Sequence, residues 1–314
     1  MVPARTDGAS MRRVTSRALR QARSSDRLTP YRGVLARIGL PAWFVVIDLL
    51  WITKLDVFGI DARHYQRAAA AWLAGGNPWE VAERGVPYAS GPHTLLFYAP
   101  TNLVPLDLAV AIWMLIGLAV SVWTVRRLDL ALWWLAFPPL AHALWNGNPQ
   151  TLLVAMLVAN HPLASAGAVL VKLYAGLAIL FRPRHRLVAG AALLLTLPLL
   201  PWQLYIDEGL GVSRHLAGAW NGSAWRLPIL LVLPTLIGLW ILRRKGAMWL
   251  AVPAVWPATQ FYYVSTVLPL VARRPILAAL LAAPIPLMAP AVVIWLAARE
   301  ISDRRSAASA APTP

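Results

Sequence analysis

Residues 106–127 read LDLAVAIWMLIGLAVSVWTVRR and contain a single acid, Asp107, before the closing pair Arg126-Arg127. A helix needs about 20 mainly apolar residues to cross the hydrocarbon core of a bilayer. Lysine and arginine accumulate at the cytoplasmic ends of such helices. The stretch therefore predicts a transmembrane helix that ends at Arg127 on the cytoplasmic side.

The composition of the whole chain points the same way. Of 314 residues, 59% are apolar and 13% are charged, whereas soluble domains carry about 25% charged residues. A soluble protein of this composition would expose large apolar patches. We therefore predict an all-α polytopic integral membrane protein. Cysteine is absent, which excludes disulfides, thiolate metal sites and cysteine nucleophiles.

Positive charge is concentrated at the N-terminus and at the ends of apolar runs. The net charge is +16, and nine arginines but only two aspartates precede Gly39. This placement favours anionic lipid headgroups as the partner and argues against nucleic acid. We predict a basic, disordered cytoplasmic tail at residues 1–37 and a multi-pass protein of the cell membrane whose N-terminus is cytoplasmic.

The apolar and polar runs divide the rest of the chain. The predicted membrane domain covers residues 38–298, with a first extracytoplasmic loop at 54–93, a second polar one at 205–226, and a C-terminal tail at 299–314. Single spans are predicted at 39–53, 106–125, 187–204 and 227–242, and an interfacial helix at 94–104. Prolines cut 128–181 into short helices and 248–271 into two, while 276–298 is either one span or a hairpin. The total is about eight to ten spans, short and broken ones included.

Interrupted helices in this domain predict a cavity. Prolines or polar residues break the apolar runs at Pro138-Pro139, at 147–150, at Lys172 and at 253–257. Irregular backbone at membrane depth is tolerated where it is buried in protein or lines a cavity. We expect that cavity to open outward. Inverted-repeat transporters also use broken helices, so this feature alone does not distinguish an enzyme from a transporter.

Two residues stand out chemically. Asp61 is at the head of a predicted helix at 62–73, where the helix dipole favours an acid; it is either an N-cap or a functional carboxylate. Lys172 is a lone cation in an apolar segment, which by default indicates a functional site, although such a lysine can also extend to the interface. Arg63 and Arg67, one turn apart, either bind phosphate or lie among lipid headgroups.

Several motifs occur in one order along the chain, and together they resemble a known family. They are Asp61 and Tyr65 followed by Gly76-Asn77-Pro78-Trp79, Phe97-Tyr98-Ala-Pro100, Gly147-Asn148-Pro-Gln150-Thr-Leu-Leu, Lys172-Leu-Tyr174 before the basic turn 182–186, Asn221-Gly-Ser223, and Trp256-Pro257-Ala-Thr259 through Pro269. From about Asp48 to Pro269 the chain resembles the polyprenyl-phosphate-mannose-dependent mannosyltransferases of the GT-C fold, glycosyltransferase family 87. Tyr262 and Tyr263 stand where the family often has two histidines.

The resemblance implies a GT-C-like bundle with the site on the extracytoplasmic side. It implies an inverting membrane glycosyltransferase that moves a hexose, mannose in this family, from a polyprenyl phosphate to a glycolipid or glycan acceptor. Asp61 would be the general base, and Lys172, Arg63 and Arg67 would bind the donor phosphate. Contacts to sugar or acceptor are expected from His64, Tyr65, Asn77, Trp79, Asn148, Gln150, Asn221, Gln260, Tyr262 and Tyr263.

Other interpretations of the same residues remain. His64 is equally an ordinary loop histidine, and Asn148 and Gln150 could simply satisfy backbone groups at a helix break. His93, His142 and His161 lack metal-ligand spacing, so we predict no metal and no cofactor. The alternatives to an enzyme are a sugar or lipid transporter or flippase, and a catalytically inactive scaffold of the same fold. The predicted partners are the lipid-linked donor, the acceptor and membrane lipids.

Overall fold

The computed structural model describes residues 35–51, 57–219, 221–243 and 245–309. The predicted N-terminal tail up to residue 34 lies outside these residues. The described chain is mostly helical, and its strands form one short antiparallel pair, β1 (Ala82–Glu83) with β2 (Val86–Pro87). The predicted all-α class is therefore confirmed.

The helices follow one another with short connections. The α-helices are α1 (Leu40–Trp51), α2 (Ile60–Leu73), α3 (Leu95–Tyr98), α4 (Leu106–Arg127), α5 (Pro138–Asn146), α6 (Gln150–Ala159), α7 (Pro162–Val171), α8 (Ala175–Ala178), α9 (Pro183–Thr196), α10 (Trp202–Leu204), α11 (Leu210–Ala219), α12 (Pro228–Ile241), α13 (Ala247–Val255), α14 (Leu268–Val271), α15 (Pro275–Ala282) and α16 (Met288–Ser309). The described chain also contains short 3₁₀ and π segments. The 3₁₀ segments are Pro78–Glu80, Pro92–Thr94, Ala99–Leu103, Leu132–Ala136, Ala224–Arg226 and Phe261–Val267, and the π segments are Leu35–Gly39 and Tyr205–Gly209.

Proline sets many of the boundaries. Helices α5, α7, α9, α12 and α15 begin at a proline, because proline has no N–H to lose at the first helical position. The predicted division of 128–181 and of 248–271 into short helices is confirmed. The 276–298 segment is two helices, α15 and α16, and not one continuous span.

Three boundaries differ from the prediction. The span predicted at 187–204 begins earlier, at Pro183, and its helix ends at Thr196. Pro198 and Pro201 have no N–H to donate to the preceding turn, so the helical hydrogen bonds do not continue. The predicted loop at 205–226 is largely helical, since it contains a π segment and α11. The predicted tail after 298 continues α16 as far as Ser309.

Aromatic packing fixes α2 against its neighbours. Tyr65 stacks on Tyr98 at 4.9 Å between ring centroids and meets Tyr88 edge-on at 5.4 Å. Tyr98 in turn lies 4.1 Å from the ring of Trp113 on α4. All four rings are buried, and such pairs contribute about 0.5–1.5 kcal/mol each beyond their buried area. The orientation of α2, which carries Asp61, is thereby fixed.

A left-handed glycine allows α5 and α2 to approach closely. Gly147 ends α5 with φ +68°, and a Cβ there would lie 2.7 Å from the Cβ of Ala62 and 2.8 Å from the sulfur of Met114. Its carbonyl accepts a hydrogen bond from Trp113 Nε1 at 3.1 Å. No other residue type fits this position without displacing α2 or α4.

Gly147→Ala is expected to lower the thermal midpoint of unfolding of the purified protein. The substitution combines a strained backbone conformation with two close contacts, and we expect a loss of about 2–4 kcal/mol. The matched control is Gly190→Ala on α9, where a Cβ meets no atom within 4 Å. Equal midpoints for Gly147→Ala and the wild-type protein would contradict the close approach.

Candidate active site

A cavity of about 370 Å³ lies where the chain brings six separate segments together. Its walls come from the start of α2, the loop at 86–94, the break before α6, the break after α7, the segment around α11, and the irregular stretch between α13 and α14. Side chains of Asp61 and Lys172 both line it. The predicted association of broken helices with a cavity is confirmed for the breaks at 147–150 and Lys172 and for the end of the break at 253–257. It is wrong for Pro138-Pro139, which does not line this cavity.

Asp61 lies in the first turn of α2 and does not cap the helix. The N-cap is Gly59, in the left-handed conformation, and no side chain caps the helix; the interpretation of Asp61 as an N-cap is therefore wrong. Gly59 N donates to the carbonyl of Trp145 at 2.9 Å, which joins the start of α2 to α5. Asp61 Oδ2 accepts a hydrogen bond from Asn148 Nδ2 at 2.7 Å.

Asn148 is held at both ends of its amide. Its Oδ1 accepts from the backbone N–H of Gln150 at 2.9 Å, at the start of α6, so its Nδ2 is the group that faces Asp61. Gln150 is fully buried, donates to Ser265 Oγ at 3.1 Å and accepts from Tyr174 OH at 2.6 Å. Asn148 therefore orients the carboxylate, and Gln150 supports Asn148 from outside the cavity.

The electrostatic surroundings favour a carboxylate that can take up a proton. Burial raises the pKa of the Asp61 carboxyl above its ordinary value, while the Asn148 hydrogen bond and the charge of Lys172 oppose that shift. Burial lowers the pKa of the His64 imidazole, against the raising effects of the Val81 carbonyl and of Asp61. His64 is therefore neutral at pH 7, and its Nε2 lies 3.2 Å from the Val81 carbonyl oxygen.

Lys172 ends α7 and is held inside the protein. Only 7% of it is exposed, so it does not extend to the interface. Its Nζ donates to Tyr65 OH and, at 3.1 Å, to Ser90 Oγ. Tyr65 OH and Ser90 Oγ are themselves 2.7 Å apart. With these neutral partners, the ammonium group carries a positive charge that no carboxylate of the described residues neutralises by direct contact.

Arg63 and Arg67 are not brought to the cavity. Arg63 pairs with the exposed Asp107 at 3.5 Å, and Arg67 pairs with Glu83 at 2.6 Å. The two side chains lie on faces of α2 other than that of Asp61. Their ion pairs explain why neither arginine joins Lys172 as a second cation of the site.

Four other predicted contact residues lie outside the cavity lining. Asn77 caps the 3₁₀ segment Pro78–Glu80 and donates to Glu208. Trp79 is buried and donates to the Ser90 carbonyl at 3.0 Å. Asn221 accepts hydrogen bonds from Ser223, and Gln150 supports Asn148.

The remaining predicted residues do line the cavity: His64, Tyr65, Asn148, Gln260, Tyr262 and Tyr263. The two tyrosines in place of the family's histidine pair are buried, and their rings meet edge-on at 5.0 Å. Tyr263 also packs against Tyr174 at 4.3 Å. This wall is thus an aromatic surface whose polar atoms are tyrosine hydroxyl groups.

Sequence reasoning missed several lining residues, above all Arg214. Arg214 lies on α11, an exposed cation that lines the same cavity as Lys172, and α11 is held there by a hydrogen bond from Ser213 Oγ to the Ala89 carbonyl at 2.9 Å. His93 is buried against Trp202, and burial lowers its pKa to about 3. The one sequence feature that could have indicated Arg214 is the absence of an acidic residue from its own helical turn.

The arrangement brings one carboxylate and two cations to the same cavity. Asp61 can accept a proton, and Lys172 and Arg214 can pair with an anionic group. Within the described ranges, no group of three or more histidine, aspartate or glutamate side chains is placed to hold a metal ion. Comparison of the chain with protein-family models, with curated proteins and with solved structures finds no match to any of them.

Proposed function

We propose that this protein is an inverting membrane glycosyltransferase. It transfers a hexose, for which mannose is the leading candidate, from a polyprenyl phosphate to an extracytoplasmic glycolipid or glycan acceptor. The observation that carries the proposal is the presence of the Asp61 carboxylate and the buried Lys172 ammonium in one cavity. A transferase of this kind needs a base for the acceptor hydroxyl and a cation for the leaving phosphate. The motif resemblance described above supplies the class of donor.

The proposed transfer step uses both the carboxylate and the cations of the cavity. Asp61 takes the proton of the acceptor hydroxyl as its oxygen forms a bond to the anomeric carbon. On the opposite face the bond between that carbon and the phosphate oxygen breaks, and the lipid phosphate leaves with the electron pair. Lys172 and Arg214 stabilise the negative charge that develops on it. Asn148 keeps the carboxylate oriented throughout.

Support for a membrane setting comes from the outer surface. Helix α4 is long and apolar enough to cross a bilayer. Helix α12 exposes large apolar side chains along much of its length, including Ile229 at 94%, Leu230 at 67% and Leu233 at 64%. Exposure of such a continuous apolar surface to water is energetically unfavourable, whereas contact with lipid chains is not. We therefore propose a multi-pass GT-C-like bundle in which shorter and broken helices contribute further crossings.

The charges at the two ends of α4 support an extracytoplasmic position for the cavity. Asp107 in its first turn contacts Arg63 of α2, the helix that carries Asp61. The opposite end of α4 carries Arg126 and Arg127, about 30 Å away for a helix of 22 residues. Since arginine pairs favour the cytoplasmic side, we place the cavity on the extracytoplasmic side of the cell membrane.

The test is sugar transfer by the purified protein in nanodiscs. The reaction contains radiolabelled polyprenyl-phosphate-mannose and a lipid extract as acceptor source, and the products are separated by chromatography. Labelled product that appears only with the protein present supports the proposal. Movement of labelled lipid between the leaflets of proteoliposomes without any new glycosidic product would instead indicate a flippase.

The pH dependence of transfer is expected to report on Asp61. As a base, Asp61 must be ionised, so the rate falls as the pH drops through its pKa. Because burial raises that pKa, the acid limb of kcat/KM lies above pH 4, about the ordinary value for aspartate. Rates measured from pH 4 to pH 8 over a range of donor concentrations check this. A flat profile across that range would contradict the role of Asp61.

A further inference from the structure

A second groove, separate from the cavity around Asp61, is lined by apolar and basic side chains. Its volume is about 680 Å³, and it lies between α8, the start of α9, α12 and α13. Its walls include Leu180, Phe181, Leu236 and Trp240, and the two charged residues of its lining are Arg186 and Arg243. The groove shares no lining residue with the cavity around Asp61.

The two arginines of the groove lack an acidic partner in the part of the chain that the structure describes. Within the described residues, neither Arg186 nor Arg243 forms an ion pair. The Arg243 guanidinium lies 4.3 Å from the centroid of the Trp240 ring and donates to the Trp240 carbonyl at 2.8 Å. That contact fixes one face of the guanidinium against the groove wall and leaves its remaining N–H groups available.

The start of α9 adds to the excess of positive charge. Arg182, Arg184 and Arg186 lie at its first turn, which contains no acidic residue. A helix N-terminus favours negative charge, so three arginines there are unfavourable unless an anion joins them. Arg182 donates to Asn160 Oδ1 and to the sulfur of Met248, which are neutral groups. The charge at this end of the groove therefore remains uncompensated by the described residues.

We propose that this groove binds an anionic phospholipid, with its phosphate between Arg186 and Arg243 and an acyl chain along the apolar wall. Arginine suits phosphate because its planar guanidinium donates in pairs, and basic pockets between membrane helices bind anionic headgroups. A lipid is favoured over a free phosphate because Leu180, Phe181 and Leu236 offer it an apolar wall. The proposal rests on the membrane setting and not on sugar transfer.

Native mass spectrometry of the detergent-purified protein tests it. Phosphatidylglycerol and phosphatidylcholine are titrated against the wild-type protein and against Arg186→Gln/Arg243→Gln. We expect phosphatidylglycerol to bind the wild-type protein preferentially, and the double variant to bind it on the order of tenfold more weakly. The matched control is Arg126→Gln/Arg127→Gln, which removes the same charge from a hollow that also contains Asp129.

Each other outcome overturns a stated part of the proposal. Equal binding by both double variants and the wild-type protein removes the groove as the site. Competition by soluble glycerol phosphate as strong as that by the lipid removes the acyl chain from recognition. Leu236→Trp, which fills the wall and keeps both arginines, is expected to weaken lipid binding as well; unchanged binding would contradict the position of the chain. No sugar donor is present, so these results stand apart from the transferase assay.

Discussion

Asp61→Asn is expected to reduce sugar transfer by about 10²- to 10⁴-fold, the usual contribution of a positioned base. The amide is isosteric, and its oxygen can still accept the hydrogen bond from Asn148 that Asp61 accepts at 2.7 Å. What it loses is the capacity to take a proton from the acceptor. The measurement is the initial rate of product formation in nanodiscs at matched protein concentration.

The fold is expected to survive this change. Burial raises the pKa of Asp61 in the folded protein, so its ionised form is disfavoured there relative to the unfolded chain, and stability is lost as the pH rises through that pKa. At neutral pH the Asp61→Asn protein lacks this penalty, so its thermal midpoint is expected to equal or exceed that of the wild-type protein. The control is Asp107→Asn, whose carboxylate is 92% exposed. Full activity of Asp61→Asn would remove the carboxylate from the mechanism.

Lys172→Met is expected to weaken donor binding. Methionine keeps most of the length and the apolar stem but removes the charge that we place against the lipid phosphate. Loss of one partner from a buried, hydrogen-bonded charge pair weakens binding by about 2–4 kcal/mol, or roughly 30- to 1,000-fold in Kd. Tyr65 and Ser90 can retain their own hydrogen bond of 2.7 Å. The measurement is retention of radiolabelled donor by the immobilised protein.

The chain offers a matched control for this substitution. Lys245 also donates a side-chain hydrogen bond, but its partner is the carboxylate of Glu300 at 2.6 Å, and it lies at a different pocket. Lys245→Met is expected to leave donor binding unchanged. If both variants bind the donor as tightly as the wild-type protein, Lys172 does not contact the phosphate. If both lose binding equally, the loss is one of general folding.

Helix positions could be predicted from the sequence because prolines and apolar runs act locally. The breaks at Pro138, Pro149 and Pro162 follow from the backbone of proline itself. The helical character of α11 could not be predicted in this way, because residues 205–226 are polar and contain glycines. That helix is held by tertiary contacts such as Ser213 with Ala89, which no local pattern reveals.

The residues of the candidate site also fall into those that the sequence reveals and those that only tertiary packing reveals. Asp61 and Lys172 stand out in the sequence because isolated charges near apolar runs are costly. Arg63 and Arg67 have the same local pattern, and only their ion pairs with acidic neighbours separate them from the cavity. Conversely, Arg214 has ordinary surroundings in the sequence. Which side chains face one space depends on packing between distant segments.

The hydrogen bonds that build the cavity also set the order in which it can form. Asn148 is 87 residues from Asp61, and Lys172 is 107 residues from Tyr65. Each pair closes a long loop, whose entropy must be lost before the contact is gained. No single helix, and no hairpin of neighbouring helices, contains the site. The geometry of the site therefore depends on contacts between residues far apart in the sequence, and the chain must have left the ribosome at least as far as Lys172 before Asp61 and Lys172 can line one cavity.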